Sequence, residues 1–125
     1  MTASGRPRVL LVDDDPEIGE FLATLLDLEG LEPSVAASAA DALALAPGAK
    51  AAVIDVAMPD VDGLTLCRQL RAAGFAAPIL VVSARPGADL PRLAAEAGAD
   101  EFLRKPFDNL ELMARLRSHL TVSAA

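Results

Sequence analysis

Continuous apolar runs alternate with amphipathic ones along this chain, and the change of period marks its elements. Val9-Leu10-Leu11-Val12, Ala51-Ala52-Val53-Ile54 and Ile79-Leu80-Val81-Val82 contain no polar position that would face water. Parallel strands covered by helices on both faces read this way. The runs predict strands over Arg8–Val12 and Ala51–Asp55, and a further one introduced by Pro78 and ending at Ser83. A shorter strand reaches Arg104 through Glu101-Phe102-Leu103. A weak second strand falls near residues 33–36, where the leading proline suits an edge.

The intervening segments carry apolar residues at helical spacing. Asp15 sits at an N-cap with Pro16 at the first helical position, followed by Ile18, Phe21, Leu22, Leu25 and Leu26, with Gly30 as the stop. Gly19 inside that helix costs about 1 kcal/mol relative to alanine. Ser38 caps a short helix carrying Leu43 and Leu45, which ends at Pro47-Gly48. The loop Met58-Pro59-Asp60-Val61-Asp62-Gly63 precedes a helix bearing Leu64, Cys67, Leu70 and Arg71. Asp89 is the expected cap of a helix containing Leu90, Leu93, Ala94 and Ala97 and stopped by Gly98. Pro91 is tolerated in its first turn, where the missing N–H is not needed, and residues 85–88 are left as an extended loop. The last helix starts near Asp108 and turns Leu112, Met113, Leu116 and Leu120 inward.

Strict alternation of five strands and five helices predicts an α/β fold. Right-handed crossovers favour a flavodoxin-like, doubly wound, five-stranded parallel sheet of order 2-1-3-4-5. Residues 1–125 read as a single domain with an ordered core over 6–120, and with residues 1–5 and 121–125 as flexible ends or the stump of a linker.

Composition narrows the function classes. The chain has 125 residues, 53 % of them hydrophobic, which supports a packed core. A net charge of −7 argues against nucleic acid as a direct partner. No apolar stretch is long enough for a membrane span, and the N-terminal residues lack a signal-peptide pattern, so the expected setting is the cytoplasm, without membrane association. Cys67 is the single cysteine; in an amphipathic segment it reads as a small packed hydrophobe.

Candidate chemistry lies at the ends of the strands. Asp13-Asp14-Asp15, Asp55, Ser83 and Lys105-Pro106 each follow an apolar run, so an open α/β sheet gathers them at its carboxyl edge. Singly, each has an ordinary explanation: a helix cap, a turn serine, a solvated lysine. Together, in that strand context, they suit phosphoryl transfer. Clustered carboxylates are costly unless a cation neutralises them, and Mg²⁺, or Mn²⁺ in its place, prefers such oxygen ligands. Asp14 and Asp55 would bind the ion directly, Asp13 through a water, and the backbone carbonyl of Ala57 would add a neutral ligand. Asp55 would accept the phosphoryl group, with Lys105 and Ser83 binding its oxygens.

The chain resembles the receiver domains of two-component response regulators over essentially its full length. The resemblance is carried by Leu11-Val12-Asp13-Asp14-Asp15, by Asp55 with Met58-Pro59 and Asp62-Gly63, by Val82-Ser83-Ala84, by Ala97-Gly98-Ala99-Asp100 and by Lys105-Pro106-Phe107. It implies Asp55 as phosphoacceptor, Asp13 and Asp14 as the acidic pair, Ser83 as the switch hydroxyl and Lys105 as the phosphate-pairing lysine. It further implies a cis peptide before Pro106, and an aromatic switch at Phe102, where the family often has tyrosine. The implied activity is a signalling switch that assists its own phosphorylation and dephosphorylation, not an enzyme that turns over a metabolite. The implied partners are a sensor histidine kinase or phosphotransfer protein and a downstream effector domain or protein. Receivers of winged-helix transcription factors share the chain's ending, which implies at most a weak homodimer through the fourth helix, fifth strand and fifth helix. Asp100, Glu111 and Arg115 are candidate contacts there. His119 reads as a solvated helix-terminal residue.

Two alternatives use the same residues. A haloacid-dehalogenase-type phosphatase would use Asp13 as nucleophile and Asp15 as acid/base, but leaves Asp55 and the loop after it without a purpose. A receiver-like binding module that is never phosphorylated would need none of the chemistry described above.

Overall fold

The structure, a computed structural model, describes residues 5–57 and 61–124. The tip of the loop after Asp55 (Met58, Pro59 and Asp60), residues 1–4 and Ala125 lie outside the described residues. In chain order the elements are β1 (Arg8–Val12), α1 (Pro16–Leu28), β2 (Glu32–Ala36), α2 (Ala39–Leu45), β3 (Ala51–Asp55), α3 (Gly63–Ala72), β4 (Ile79–Ser83), α4 (Leu90–Ala97), β5 (Glu101–Arg104) and α5 (Asn109–Ala124). The sheet is parallel throughout, in the order β2-β1-β3-β4-β5. The expected flavodoxin-like architecture is therefore the observed one.

Alternation along the strands divides the core into two layers. Val9, Leu11, Ala51, Val53, Leu80 and Val82 pack under α1 and α5 with Leu22, Leu26, Leu112, Met113 and Leu116. Leu10, Val12, Ala52, Ile54, Ile79 and Val81 face α2, α3 and α4. Small residues on α2 and α4, including Ala42 and Ala94, pack into that second layer. Leu66, unremarked in the sequence pattern, is fully buried there. Cys67 is buried beside it, and burial pushes its thiol above the usual range, as suits a packed hydrophobe.

Helix boundaries follow local chemistry with one exception. Asp15 and Ser38 cap α1 and α2, accepting from the backbone N–H of Glu17 and Asp41. Asp62 caps α3 through Leu64 N–H at 2.7 Å. Asp89, expected to cap α4, makes no capping bond. Its backbone is already helical (φ −80°, ψ −18°), which turns the side chain away from the first-turn N–H groups, and its carboxylate lies 3.9 Å from Arg92 instead. Pro91 occupies the first turn as expected. Gly98 ends α4 at φ 107°, and a Cβ there would come within 2.8 Å of the Arg71 side chain. At the other end of the chain, residues 121–124 contain no glycine or proline, and α5 runs through them to Ala124.

Candidate functional site

The carboxyl edge of the sheet collects the predicted residues. Asp13 directly follows β1, Asp55 ends β3, Ser83 ends β4 and Lys105 follows β5. Because β1 and β3 are neighbours, one carboxylate oxygen from each of Asp13, Asp14 and Asp55 lies within 4.8 Å of the others. Asp13 and Asp55 are buried, whereas Asp14 is exposed.

Each carboxylate is held differently. Asp13 Oδ1 accepts from Asp15 N–H at 2.9 Å, whereas its Oδ2 is buried without a hydrogen-bond partner among the described residues. Lys105 Nζ is 3.9 Å from that oxygen, close enough to pair charges and too far to hydrogen-bond. The same ammonium is 3.2 Å from Asp55 Oδ2. Asp55 Oδ1 accepts from Ala57 N–H at 3.1 Å. Burial pushes the Asp13 carboxyl above the usual range, and the nearby charge of Asp55 adds to this. The backbone N–H of Asp15 and the Lys105 charge oppose that shift without cancelling it.

Other residues fix the frame. Ser83 is 0 % exposed, and its Oγ accepts from Arg85 N–H at 2.9 Å. The Lys105 N–H donates to the Ser83 carbonyl at 2.8 Å, and the Lys105–Pro106 bond is cis. Gly63 has a role that its place in the motif did not reveal. A Cβ at Gly63 would lie 2.3 Å from the Asp55 carbonyl oxygen, so only glycine lets α3 start this close to β3. Its N–H donates to the Val56 carbonyl at 2.9 Å. Arg85 reaches across to Asp62 at 3.1 Å. Phe102 is half-buried against the α2/α3/α4 layer, with the Arg104 guanidinium 5.3 Å from its ring centre.

Several surface charges are committed elsewhere than expected. Asp100 binds Arg71 and the Ile79 N–H, while Arg115 pairs with Glu101 and Glu111 on its own chain. His119 is not simply solvated: its Nε2 is 3.0 Å from Glu101 Oε2, because α5 lays it over β5.

The comparisons agree with this geometry. Residues 9–117 match the response regulator receiver domain family. Response regulator MprA of Mycobacterium sp. (strain KMS) is 43 % identical over 115 residues, covering 90 % of this chain and 50 % of that protein. MprA of Mycobacterium avium (strain 104) is 42 % identical over the same length. The chain thus spans about half the length of the curated relatives it matches. Among solved structures, the Francisella response regulator 1452 receiver domain superposes with a TM-score of 0.88 at 31 % identity, covering 94 % of this chain and 99 % of that one. The BeF3-activated N-terminal receiver domain of Klebsiella pneumoniae RstA superposes with a TM-score of 0.84 at 30 % identity, covering 90 % and 97 %. The chain belongs to the response regulator receiver domain family, whose members are phosphorylation-dependent signalling switches.

Proposed function

We propose that Asp55 is the phosphoryl acceptor of this switch. The observation that carries the proposal is the pairing of Asp55 with Lys105 at 3.2 Å, beside a buried Asp13 oxygen that has no hydrogen-bond partner among the described residues. An orphaned buried carboxylate oxygen within a cluster of three carboxylates suits a hard cation. Asp14, Asp55 and the Ala57 carbonyl would hold Mg²⁺, or Mn²⁺ in its place, with Asp13 acting through a water. Bound there, the ion would supply positive charge to the acidic edge and to the oxygens of an incoming phosphoryl group.

The chain's own residues do the rest. A carboxylate oxygen of Asp55 attacks phosphorus, the bond from phosphorus to the donor breaks, and its electron pair leaves with the donor. Lys105 offsets the charge of the transferred oxygens. With a lone pair of Ser83 Oγ taken by the Arg85 N–H, the hydroxyl proton is what Ser83 has to offer the phosphoryl group. The acyl phosphate adds a dianionic acceptor that attracts Ser83 and Lys105, and Phe102 responds on the neighbouring face.

The phosphatase reading is not favoured. Its acid/base, Asp15, spends a carboxylate oxygen capping α1 at 3.0 Å from Glu17 N–H, and it leaves the Asp55–Lys105 pair without a role. The family match also disfavours a module that never takes phosphate.

By family, the proposed donor is a histidine kinase or phosphotransfer protein and the proposed recipient an effector domain or protein, in the cytoplasm. The domain would assist its own phosphorylation and dephosphorylation. No helix among the described residues is long and apolar enough to cross a membrane. The charge of −7 speaks against direct nucleic-acid contact. Any homodimer through α4, β5 and α5 would be weak, since Asp100, Glu111 and Arg115 already have partners within the chain. The test is intact mass after incubation with Mg²⁺ and acetyl phosphate. One added phosphoryl group that disappears in Asp55→Asn supports the assignment; retention of the group in that variant refutes it.

A further inference from the structure

The loop between β4 and α4 is held at one residue from two sides. The Arg85 N–H donates to Ser83 Oγ at 2.9 Å, while the Arg85 carbonyl accepts from Arg104 Nη1 at 2.8 Å. The other arm of the same guanidinium, Nη2, donates to the Gly87 carbonyl at 2.8 Å. The guanidinium carbon also lies 5.3 Å from the centre of the Phe102 ring. Arg104 pairs with Ser83 in the β4–β5 register, so this side chain originates beside the buried hydroxyl.

An exposed guanidinium normally gains little from any one contact, and most of the other arginines here bind a carboxylate. Arg104 has no such partner among the described residues. It forks instead across two carbonyls of one loop, and that geometry restrains the backbone. We propose that Arg104 is a latch. It positions residues 84–89 in the unphosphorylated arrangement and links their position to Phe102. This inference rests on Asp55 being the phosphoryl acceptor.

The coupling runs through Arg85. A phosphoryl group on Asp55 draws Ser83 inward, and the bond from Ser83 Oγ to the Arg85 N–H draws residue 85 with it. The Arg85 carbonyl then leaves the guanidinium, and a rigid fork tolerates little displacement before both bonds are lost. Phe102 loses its cation partner in the same step. The contact therefore belongs to one of two states and competes with phosphoryl binding, so removing it shifts the population toward the phosphorylated arrangement.

The test compares wild type with Arg104→Met, which keeps the length of the side chain and removes its donors, and with Arg104→Lys, which keeps the charge and removes the fork. Amide exchange over residues 84–89 is measured in Mg²⁺ alone, and the affinity for beryllofluoride, a phosphoryl mimic, is measured separately. In Arg104→Met, loop exchange should be about three- to tenfold faster and beryllofluoride affinity tighter by a similar factor, the scale of one to two net hydrogen bonds. Arg104→Lys should resemble Arg104→Met, and exchange in β1 and β3 should be unchanged, which separates release of the loop from unfolding. Unchanged loop exchange in Arg104→Met overturns the latch. A looser loop with unchanged or weaker beryllofluoride binding overturns its release on phosphorylation. A wild type that binds no beryllofluoride contradicts the acceptor assignment itself and removes the basis of the latch.

Discussion

The two edges of the sheet treat charge in opposite ways. At the amino edge of β4 and β5, Arg71 donates from Nε and Nη2 to the Gly98 carbonyl at 3.0 and 2.9 Å. Its Nη1 reaches the carbonyls of Phe75 and Ala77 at 2.7 and 2.8 Å. Asp100 balances the charge at 3.0 Å and also accepts the Ile79 N–H at 2.9 Å. At the carboxyl edge, three carboxylates cluster and one lysine pairs with two of them, and Asp13 Oδ2 has no hydrogen-bond partner among the described residues. Satisfied polarity at one edge serves the fold. Unsatisfied polarity at the other suits the cation proposed to bind there.

The contrast breaks most readily at Arg71. Arg71→Ala leaves the carbonyls of Phe75, Ala77 and Gly98 and the Asp100 carboxylate short of donors, and should destabilise by about 3 kcal/mol in urea unfolding. A loss below about 1 kcal/mol would mean that the amino edge is not held by this network.

Gly63→Ala is the next largest effect, on the side of the carboxyl edge. The added methyl meets the Asp55 carbonyl oxygen at 2.3 Å, so backbone must shift, at a cost of about 2 kcal/mol. The shift displaces Asp55, and phosphorylation by acetyl phosphate should slow more than in a variant of equal stability altered at the amino edge. Equal slowing in both would remove the special role of this close approach.

Asp13→Asn sharpens the comparison with an effect of opposite sign. The folded protein holds the Asp13 carboxyl above its ordinary range through burial. The metal-free fold is thus least strained at this site when Asp13 is protonated, below the ordinary carboxylate pKa, and loses that advantage as pH rises through the raised value. In thermal melts without metal, Asp13→Asn should be more stable than wild type at neutral pH, and the difference should close as pH falls through the raised value. Mg²⁺ should stabilise wild type and do little for the variant. A variant less stable than wild type at neutral pH without metal would show that the carboxylate is already satisfied.

The smallest effect belongs to neither edge. Arg92 and Glu96 pair at 3.0 Å on the exposed face of α4, and Arg92→Ala should cost no more than about 0.5 kcal/mol in urea unfolding. A larger loss would undo the ranking of buried networks over exposed pairs.

The strands that build the site were legible because burial on both faces forces continuous apolar runs, as in Val9-Leu10-Leu11-Val12. Asp13, Asp14, Asp55 and Ser83 stand out because they sit at the ends of such runs, whereas Lys105 follows Glu101-Phe102-Leu103-Arg104, a partly exposed strand with charged ends. β2, an edge strand, begins one residue earlier than its weak pattern suggested, at Glu32. The expected Asp89 cap does not form because capping depends on backbone angles that composition does not set. Arg71, Arg104 and His119 were illegible for a different reason. Long side chains find partners on other elements, so their destinations depend on how those elements pack. Gly63 carried a signal in its place after Asp62, but the contact that demands it lies across the chain at Asp55.

The central claim is that the unsatisfied edge accepts a phosphoryl group at Asp55. Borohydride reduction of the phosphorylated protein followed by peptide sequencing by mass spectrometry tests it most directly, since an aspartyl phosphate is converted to homoserine. Homoserine at position 55, formed only when Mg²⁺ is present, is the predicted result. Homoserine at position 13, or at any residue other than 55, would contradict the account.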